Sequence, residues 1–167
     1  MFRAMNKLQI RAGKPEDLKA VLRLIKELAE YERAPDEVSN TESMMLRNGF
    51  GNQPHYGILV AELDGHITGT AIHYVRYSTW KGPMLYLEDI IVQEKYRGRG
   101  IGSLLFEACA TYSREKDYAG MMWQVLAWNT PAINFYKKYN CILDAEWVNG
   151  KLTREQIHQI TDQIQQS

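Results

Sequence analysis

VQEKYRGRGIGSLL, residues Val92–Leu105, is the stretch that decides the fold, because an apolar strand ends in it and a helix begins. Three glycines stand at alternate positions from Gly98 to Gly102, and Arg97 and Arg99 add positive charge. Such a passage presents consecutive backbone N–H groups and the positive end of a helix to an anion. Glycine has no Cβ and lets a phosphate approach the backbone closely. The stretch therefore predicts a binding loop for a ligand that carries a pyrophosphate.

Two common phosphate-binding loops do not match this stretch. A P-loop ends in Gly-Lys followed by Ser or Thr, and no such sequence occurs here. A dinucleotide-binding fingerprint has its third glycine one position later, where Ser103 stands. A glycine-rich turn with good helix caps is the purely structural alternative, which the strand–loop–helix context disfavours. The pattern that remains is R-x-x-G-x-G, formed by Arg97, Gly100 and Gly102.

Alternating strand and helix patterns surround the loop and predict an α/β (α+β) domain. Upstream, the patterns predict a strand at 8–11, a helix that opens at Lys14 and stops before Pro35, a second helix at 41–46, and strands at 56–62, 67–77 and 84–92. Downstream, they predict a helix at 103–116, a strand at 121–127, a helix at 132–139, one or two short strands at 141–152 and a capping-box helix start at 153–156.

Composition limits the classes of function. The 167 residues are 45 % apolar and 24 % charged, which is typical of one globular domain. Twenty basic and twenty acidic side chains give no net charge, so we expect no nucleic-acid or membrane-surface partner. Cys109 and Cys141 are far apart, and the four histidines lack metal-ligand spacing, which predicts no metal. No apolar run approaches the ~18 residues of a membrane helix, and we expect a cytoplasmic protein.

The R-x-x-G-x-G loop resembles the acyl-CoA loop of the GNAT superfamily of N-acetyltransferases. The order of the predicted elements resembles that fold as well. Four blocks look like the spermidine/spermine (diamine) acetyltransferases, and the resemblance extends from about Ile10 to Leu152; the blocks are LIKELAEYE (24–32), LYLED (85–89), YRGRGIGS (96–103) and WNxxAINFYK (128–137).

The resemblance implies a fold, a cofactor and a reaction. The fold is the GNAT fold, a mixed and mostly antiparallel sheet of six to seven strands flanked by about four helices. We expect a single GNAT domain over residues 1–167, with a core at about 8–152 and a C-terminal helix at about 153–165. The implied reaction transfers the acetyl group of acetyl-CoA to a primary amine of a small molecule by direct attack, in a homodimeric enzyme without a metal.

Two residues are implied to be catalytic. An alkylamine with a pKa near 10.4 is protonated at pH 7, so its reactive form costs about 4–5 kcal/mol and its proton needs an acceptor. By resemblance, Glu88 accepts that proton through ordered water, and Tyr136 protonates the thiolate that leaves. Without the resemblance, Glu88 and its neighbour Asp89 would be ordinary charges at a strand end, and Tyr136 an ordinary core residue of an amphipathic helix.

The resemblance also implies binding residues. Coenzyme contacts are expected from the end of the third long strand, the glycine loop and the block after Trp128: Ile90, Ile91, Val92, Arg97, Gly98, Arg99, Gly100, Ile101, Gly102, Ser103, Asn129, Pro131, Ala132, Tyr136 and Lys138. Acceptor contacts are expected from the first helix, the hairpin loop and the strands at 84–92 and 121–127: Tyr31, Glu32, Ser78, Trp80, Glu88, Asp89, Trp123 and Gln124.

The acceptor is less clearly indicated than the coenzyme. Spermidine enzymes carry an acid two residues before this tryptophan, whereas this chain has Ser78 before Trp80. The loss of that anion weakens the selection of a second ammonium group, and the segment 77–82 looks like the thialysine-preferring paralogue. Two alternatives stay open: an acetyltransferase of protein or peptide amines, and a non-catalytic acetyl-CoA-binding module, which should lack Tyr136 or Glu88.

Overall fold

A five-stranded sheet forms the centre of the computed structural model, which describes residues 7–165. The chain divides into two compact units, with the boundary between Gln124 and Val125. The first unit contains five strands and three helices: β1 (Leu8–Ala12), α1 (Leu18–Tyr31), α2 (Glu42–Phe50), β2 (Gly57–Leu63), β3 (His66–Ser78), β4 (Gly82–Val92), α3 (Ile101–Glu115) and β5 (Met121–Trp123). The second unit contains α4 (Thr130–Lys137) and α5 (Arg154–Gln165).

The strands follow the order β1-β2-β3-β4-β5 in the sheet. The first four are antiparallel neighbours, and β5 pairs with β4 in parallel. The predicted mixed, mostly antiparallel sheet is therefore confirmed. The single-domain organisation over residues 1–167 stays a prediction.

The predicted number of six to seven strands is wrong, since five are present in residues 7–165. The segment 141–152 contains no strand, although its branched and aromatic residues predicted one or two. Ile142, Trp147 and Val148 are exposed, and β-propensity produces a strand only where a neighbouring strand offers hydrogen bonds and packing. The strand predicted at 121–127 is shorter for the same reason, because only Met121–Trp123 pairs with β4.

Two layers of helices cover the sheet. Apolar residues at helical spacing in α1 pack with α2 against one face of β2 and β3, and this cluster contains Leu18, Val21, Met45, Ile58, Val60 and Ile72. Neighbouring residues in a strand point to opposite faces, so His73 lies on the other face. There its ring lies 4.9 Å from the ring of Tyr112 in α3.

His73 is buried between two strands and α3. It stands opposite Gly57 in the β2–β3 ladder, and a Cβ at Gly57 would lie 2.6 Å from its Cε1 atom. The imidazole cannot move aside freely, because Tyr112 packs on it. Gly57 therefore makes room for a ring next to the point where the β3–β4 register shifts.

We predict that Gly57→Ala destabilises the fold by about 1–3 kcal/mol, the usual cost of overpacking a core. Urea unfolding measures this loss. In a His73→Ala background the same substitution should cost much less, because the clashing ring is gone. Losses that simply add in the double variant would contradict the proposed contact.

Candidate active site

A β-bulge in β4 positions the predicted base. Tyr74 pairs with Tyr86 and His73 with Leu87, but Ile72 pairs with Asp89, so Glu88 has no partner in β3. A bulge inserts one extra residue, bends its strand and redirects side chains. Tyr86 pairs with Tyr74 and Asp89 with Ile72, so Tyr86 and Asp89 lie on the same face of the sheet. In a regular strand Glu88 would share the face of Tyr86, and Asp89 would lie on the opposite one. The extra residue therefore brings Glu88 and Asp89 to one face, where Glu88 is exposed.

Three carboxyl groups come together at this bulge. Burial, and then the charges of Glu88 and Glu32, raises the pKa of Asp89 to about 6. Glu32 follows the last residue of α1, and burial raises the pKa of its carboxyl as well. The structure thus brings together three of the predicted acceptor residues from two elements. A carboxyl that titrates near neutral pH, next to ionised neighbours, can hold a cation or accept a proton.

Two tyrosines and an arginine continue this face of β3 and β4, and the sequence analysis did not identify them. The rings of Tyr74 and Tyr86 lie 5.0 Å apart. Burial, and then the charge of Glu88, raises the pKa of both phenols, whereas the charge of Arg76 lowers it. The alternation of side chains along each strand predicts which residues of that strand share a face. Which residues of β3 and β4 lie next to each other depends on the pairing of the two strands, which the sequence does not reveal.

The glycine loop leaves backbone N–H groups available. Gly98 and Gly100 have left-handed backbones, with φ of +74° and +80°. The first bond into α3 runs from the N–H of Leu104 to the carbonyl of Gly100, so the N–H groups of Ile101 to Ser103 have no acceptor in the described part of the chain. A Cβ at either left-handed glycine would meet nothing within 4 Å. The surface above the loop is therefore open and lined by donors.

The two loop arginines are held by different contacts. The Nε of Arg97 donates to the carbonyl of Val92 at 3.0 Å, and its guanidinium lies 5.5 Å from the ring of Tyr31. The guanidinium of Arg99 lies 5.4 Å from the ring of Tyr96. Both side chains are exposed, so each keeps donors for an anion. The Arg97 contact also joins the predicted coenzyme loop to a predicted acceptor residue.

Other predicted acceptor residues lie in the hairpin and in β5. The Oγ of Ser78 accepts hydrogen bonds from the N–H groups of Trp80 and Lys81 at 3.3 and 3.2 Å, so this side chain stabilises the turn between β3 and β4. The side chain of Trp80 is 87 % exposed. Trp123 packs edge-on against Phe106 with ring centres 5.3 Å apart, and Gln124 follows it. The predicted strand-end residues Ile90, Ile91 and Val92 are the last three of β4.

The second unit contains the remaining predicted residues. Asn129 is buried and caps α4, because its side chain accepts the N–H of Ala132 at 3.2 Å. Pro131 lies in the first turn of α4. Tyr136 is buried in this helix, with its ring 5.2 Å from that of Phe135. Lys138 follows the helix and is exposed.

Within residues 7–165, no group of three or more His, Cys, Asp or Glu side chains is arranged to hold a metal ion. None of the helices described has both the length and the apolar character to cross a membrane.

Residues 21–140 match the family model of the Acetyltransferase (GNAT) family. Over 138 residues the chain is 41 % identical to the thialysine N-epsilon-acetyltransferase of Bos taurus, an alignment that covers 78 % of this chain and 81 % of that protein. The chain belongs to the GNAT acetyltransferase family. This enzyme therefore shares the acetyltransferase fold that its loop predicted.

Two further comparisons agree with this assignment. The acetyltransferase is 34 % identical over 164 residues to spermidine/spermine N(1)-acetyltransferase-like protein 1 of Homo sapiens, covering 92 % of this chain and 24 % of that protein. The solved structure of the aminoglycoside N-acetyltransferase AAC(6')-Iy in complex with CoA superposes with a TM-score of 0.72 at 20 % identity, covering 92 % of this chain and 99 % of the other. The latter similarity supports the GNAT fold.

We predict that Asp89→Asn stabilises the acetyltransferase at pH 7.5 and has no effect near pH 3. A carboxyl with a pKa of about 6 in the fold and 3.8 when unfolded favours the native state only while it is protonated, so its ionisation costs stability as the pH rises through 6. The gain should be about 1–3 kcal/mol above pH 6. Urea unfolding at both pH values checks it, and equal stability changes at the two values would contradict the burial of this acid.

Proposed function

We propose that this enzyme transfers the acetyl group of acetyl-CoA to a primary amine of a small molecule, such as a polyamine, a diamine or a thialysine- or lysine-like amino acid. The observation that carries the proposal is the open glycine loop, where the N–H groups at the start of α3 find no acceptor among residues 7–165. The relatives named for thialysine and for spermidine/spermine acetylation support a small cationic acceptor.

The loop fits the diphosphate of coenzyme A. Helix N-termini with open backbone donors bind phosphates, and Arg97 and Arg99 add charge on the same segment. The structural neighbour AAC(6')-Iy holds CoA, which supports the same ligand here. When bound, acetyl-CoA supplies a thioester whose carbonyl carbon is the electrophile. We expect the further coenzyme contacts from the end of β4 and from α4, namely Ile90, Ile91, Val92, Asn129, Pro131, Ala132 and Lys138.

Glu88 is the proposed acceptor of the amine proton. The bulge exposes its carboxylate to solvent, so a water molecule can relay the proton from the amine. Asp89 and Glu32 lie close enough for their charges to interact, and both favour a cationic acceptor at this face. Removal of the proton produces the neutral amine whose nitrogen attacks.

Tyr136 is the proposed proton donor to the sulfur. As the new N–C bond forms and the C–S bond breaks, its phenol gives a proton to the leaving thiolate. The phenol is restored by the proton that the nitrogen loses as the amide forms, and the proton removed earlier from the ammonium group stays on Glu88. Trp80 and Tyr31 present aromatic rings that suit an alkylammonium chain, and Trp123 and Gln124 complete the proposed acceptor contacts. Ser78 supports the turn that carries Trp80. A homodimer and a cytoplasmic location belong to the same proposal and rest on the family resemblance.

A thiol-release assay with acetyl-CoA and a panel of amines tests the function. The panel contains thialysine, lysine, putrescine, spermidine, spermine and a short peptide. We expect thiol release with at least one small amine, together with its mono-acetylated product by mass spectrometry. Release with the peptide alone would favour the protein-acetylating alternative, and coenzyme binding without release would favour the non-catalytic one.

We predict that Gly100→Ala weakens the binding of coenzyme A roughly tenfold or more, equivalent to about 1.4 kcal/mol. A side chain strains the left-handed backbone by about 1–2 kcal/mol and enters the space above the N–H groups. Isothermal titration calorimetry measures the affinity. Gly65→Ala is the matched control, because Gly65 also has a φ of +80° and open space but lies in the β2–β3 turn. Equal effects of the two variants on affinity would contradict the assignment of the loop.

We predict that Tyr136→Phe lowers kcat roughly 100-fold, the contribution of a general acid, and leaves the KM for acetyl-CoA nearly unchanged. Steady-state thiol release measures both constants. Tyr139→Phe is the control, because Tyr139 follows the same helix and its ring also lies near Phe135, at 5.7 Å. Full turnover of the Tyr136→Phe variant would remove the proton-donor role.

A further inference from the structure

Arg76 shares a row of side chains with the proposed base. It pairs with Met84, and two residues along each strand Tyr74 pairs with Tyr86. Because side chains alternate along a strand, Arg76 and Tyr74 in β3 lie on the same face as Tyr86 in β4, and Glu88 follows Tyr86 two residues later. The row therefore runs from a carboxylate at the bulge, over two aromatic rings, to a guanidinium.

The side chain of Arg76 extends from this end of the row across β4 toward β5. Its Nη1 contacts the Sδ of Met122 in β5 at 3.6 Å, and Met122 stands opposite Tyr86 on the far side of β4. Met122 is level with Tyr86, so this contact lies two residues from Glu88 in the direction of the strand and one strand to the side. An amino acid with a side-chain amine, such as lysine, separates its amine from its carboxyl carbon by six bonds, so its two ends can contact different groups of this row.

The guanidinium of Arg76 has no anionic partner in residues 7–165. No carboxylate of the described chain lies within 4.0 Å of it, and a thioether sulfur is a weak acceptor. The side chain is exposed, so a ligand can reach it. Its charge still acts along the row, since it offsets part of the rise that burial and the charge of Glu88 cause in the pKa of Tyr74 and Tyr86.

The two ends of the row have opposite charge. Glu88, Asp89 and Glu32 make one end negative, which suits the amine that is to be acetylated, and Arg76 makes the other end positive. A carboxylate binds a guanidinium through two parallel hydrogen bonds, an arrangement that a lysine side chain cannot reproduce. A diamine of the same length would instead place its second ammonium group beside Arg76, where like charges repel.

We propose that Arg76 binds the carboxylate of the acceptor, so that the enzyme prefers amino acids with a side-chain amine to diamines and polyamines. This specificity rests on the amine acetyltransferase activity proposed above. The reaction stays the same: the side-chain ammonium loses one proton to Glu88 through water, and its nitrogen loses a second as the amide bond forms. The C–S bond of acetyl-CoA breaks, and coenzyme A leaves as the thiol. Arg76 touches only the part of the acceptor that does not react.

Lysine and cadaverine test the proposal, because the two amines differ only in the carboxylate. We expect the wild-type enzyme to show a kcat/KM at least tenfold higher for lysine. Arg76→Gln should reduce this ratio roughly tenfold, mainly through the KM for lysine, and Arg76→Glu should reverse the preference in favour of cadaverine. Arg114→Gln, which removes an exposed arginine in the last turn of α3, is the matched control and should leave the ratio unchanged.

The outcomes separate the two proposals. Acetylation of both amines with a ratio that Arg76→Gln leaves unchanged would overturn the role of Arg76 and leave the acetyltransferase activity intact. A wild-type preference for cadaverine would also overturn it. No thiol release with any amine of either kind would overturn the proposed function, and the specificity with it. Because Arg76 is exposed, we expect all three variants to fold, and a thermal melt of each checks this.

Discussion

Strand β4 is hydrogen-bonded along both edges, antiparallel to β3 and parallel to β5, and the proposed chemistry depends on this constraint. A strand with two neighbours cannot slide, because a slip of one residue would turn its apolar side chains to the wrong face. The single irregularity in its pairing with β3 is therefore a fixed feature, which places Glu88 and Asp89 together. The same strand ends at Val92, where the segment that leads to the glycine loop begins. The acids and the backbone donors are therefore both positioned by β4.

The charges of the molecule are separated locally, although the chain as a whole is neutral. Backbone N–H groups and arginines line the loop, where a diphosphate is proposed to bind. Carboxylates lie together at the bulge, and burial, followed by the charges of Glu88 and Glu32, raises the pKa of Asp89 to about 6. Because the proposed coenzyme is an anion and the proposed acceptor a cation, this separation would allow both to approach the same end of β4 without competing for the same groups.

Much of the fold could be predicted from the sequence, because its signals are local. The glycine loop and the helix that follows it depend on residues that are close together in the chain, and the structure has both. The bulge could not be predicted, since β3 and β4 both read as continuous strands and only their pairing reveals the extra residue at Glu88. The row that ends at Arg76 depends on the same long-range register. The prediction of strands at 141–152 was wrong because the local β-propensity is present but no neighbouring strand pairs with the segment.

The account depends most on the proposal that the N–H groups at the start of α3 bind the diphosphate of coenzyme A. A titration followed by amide ¹H–¹⁵N NMR tests it directly, with coenzyme A compared with pantetheine, which has no diphosphate. The account predicts large downfield shifts of amides between Gly98 and Ser103 with coenzyme A, and none of that size with pantetheine. Saturable binding that leaves these amides unmoved would contradict it.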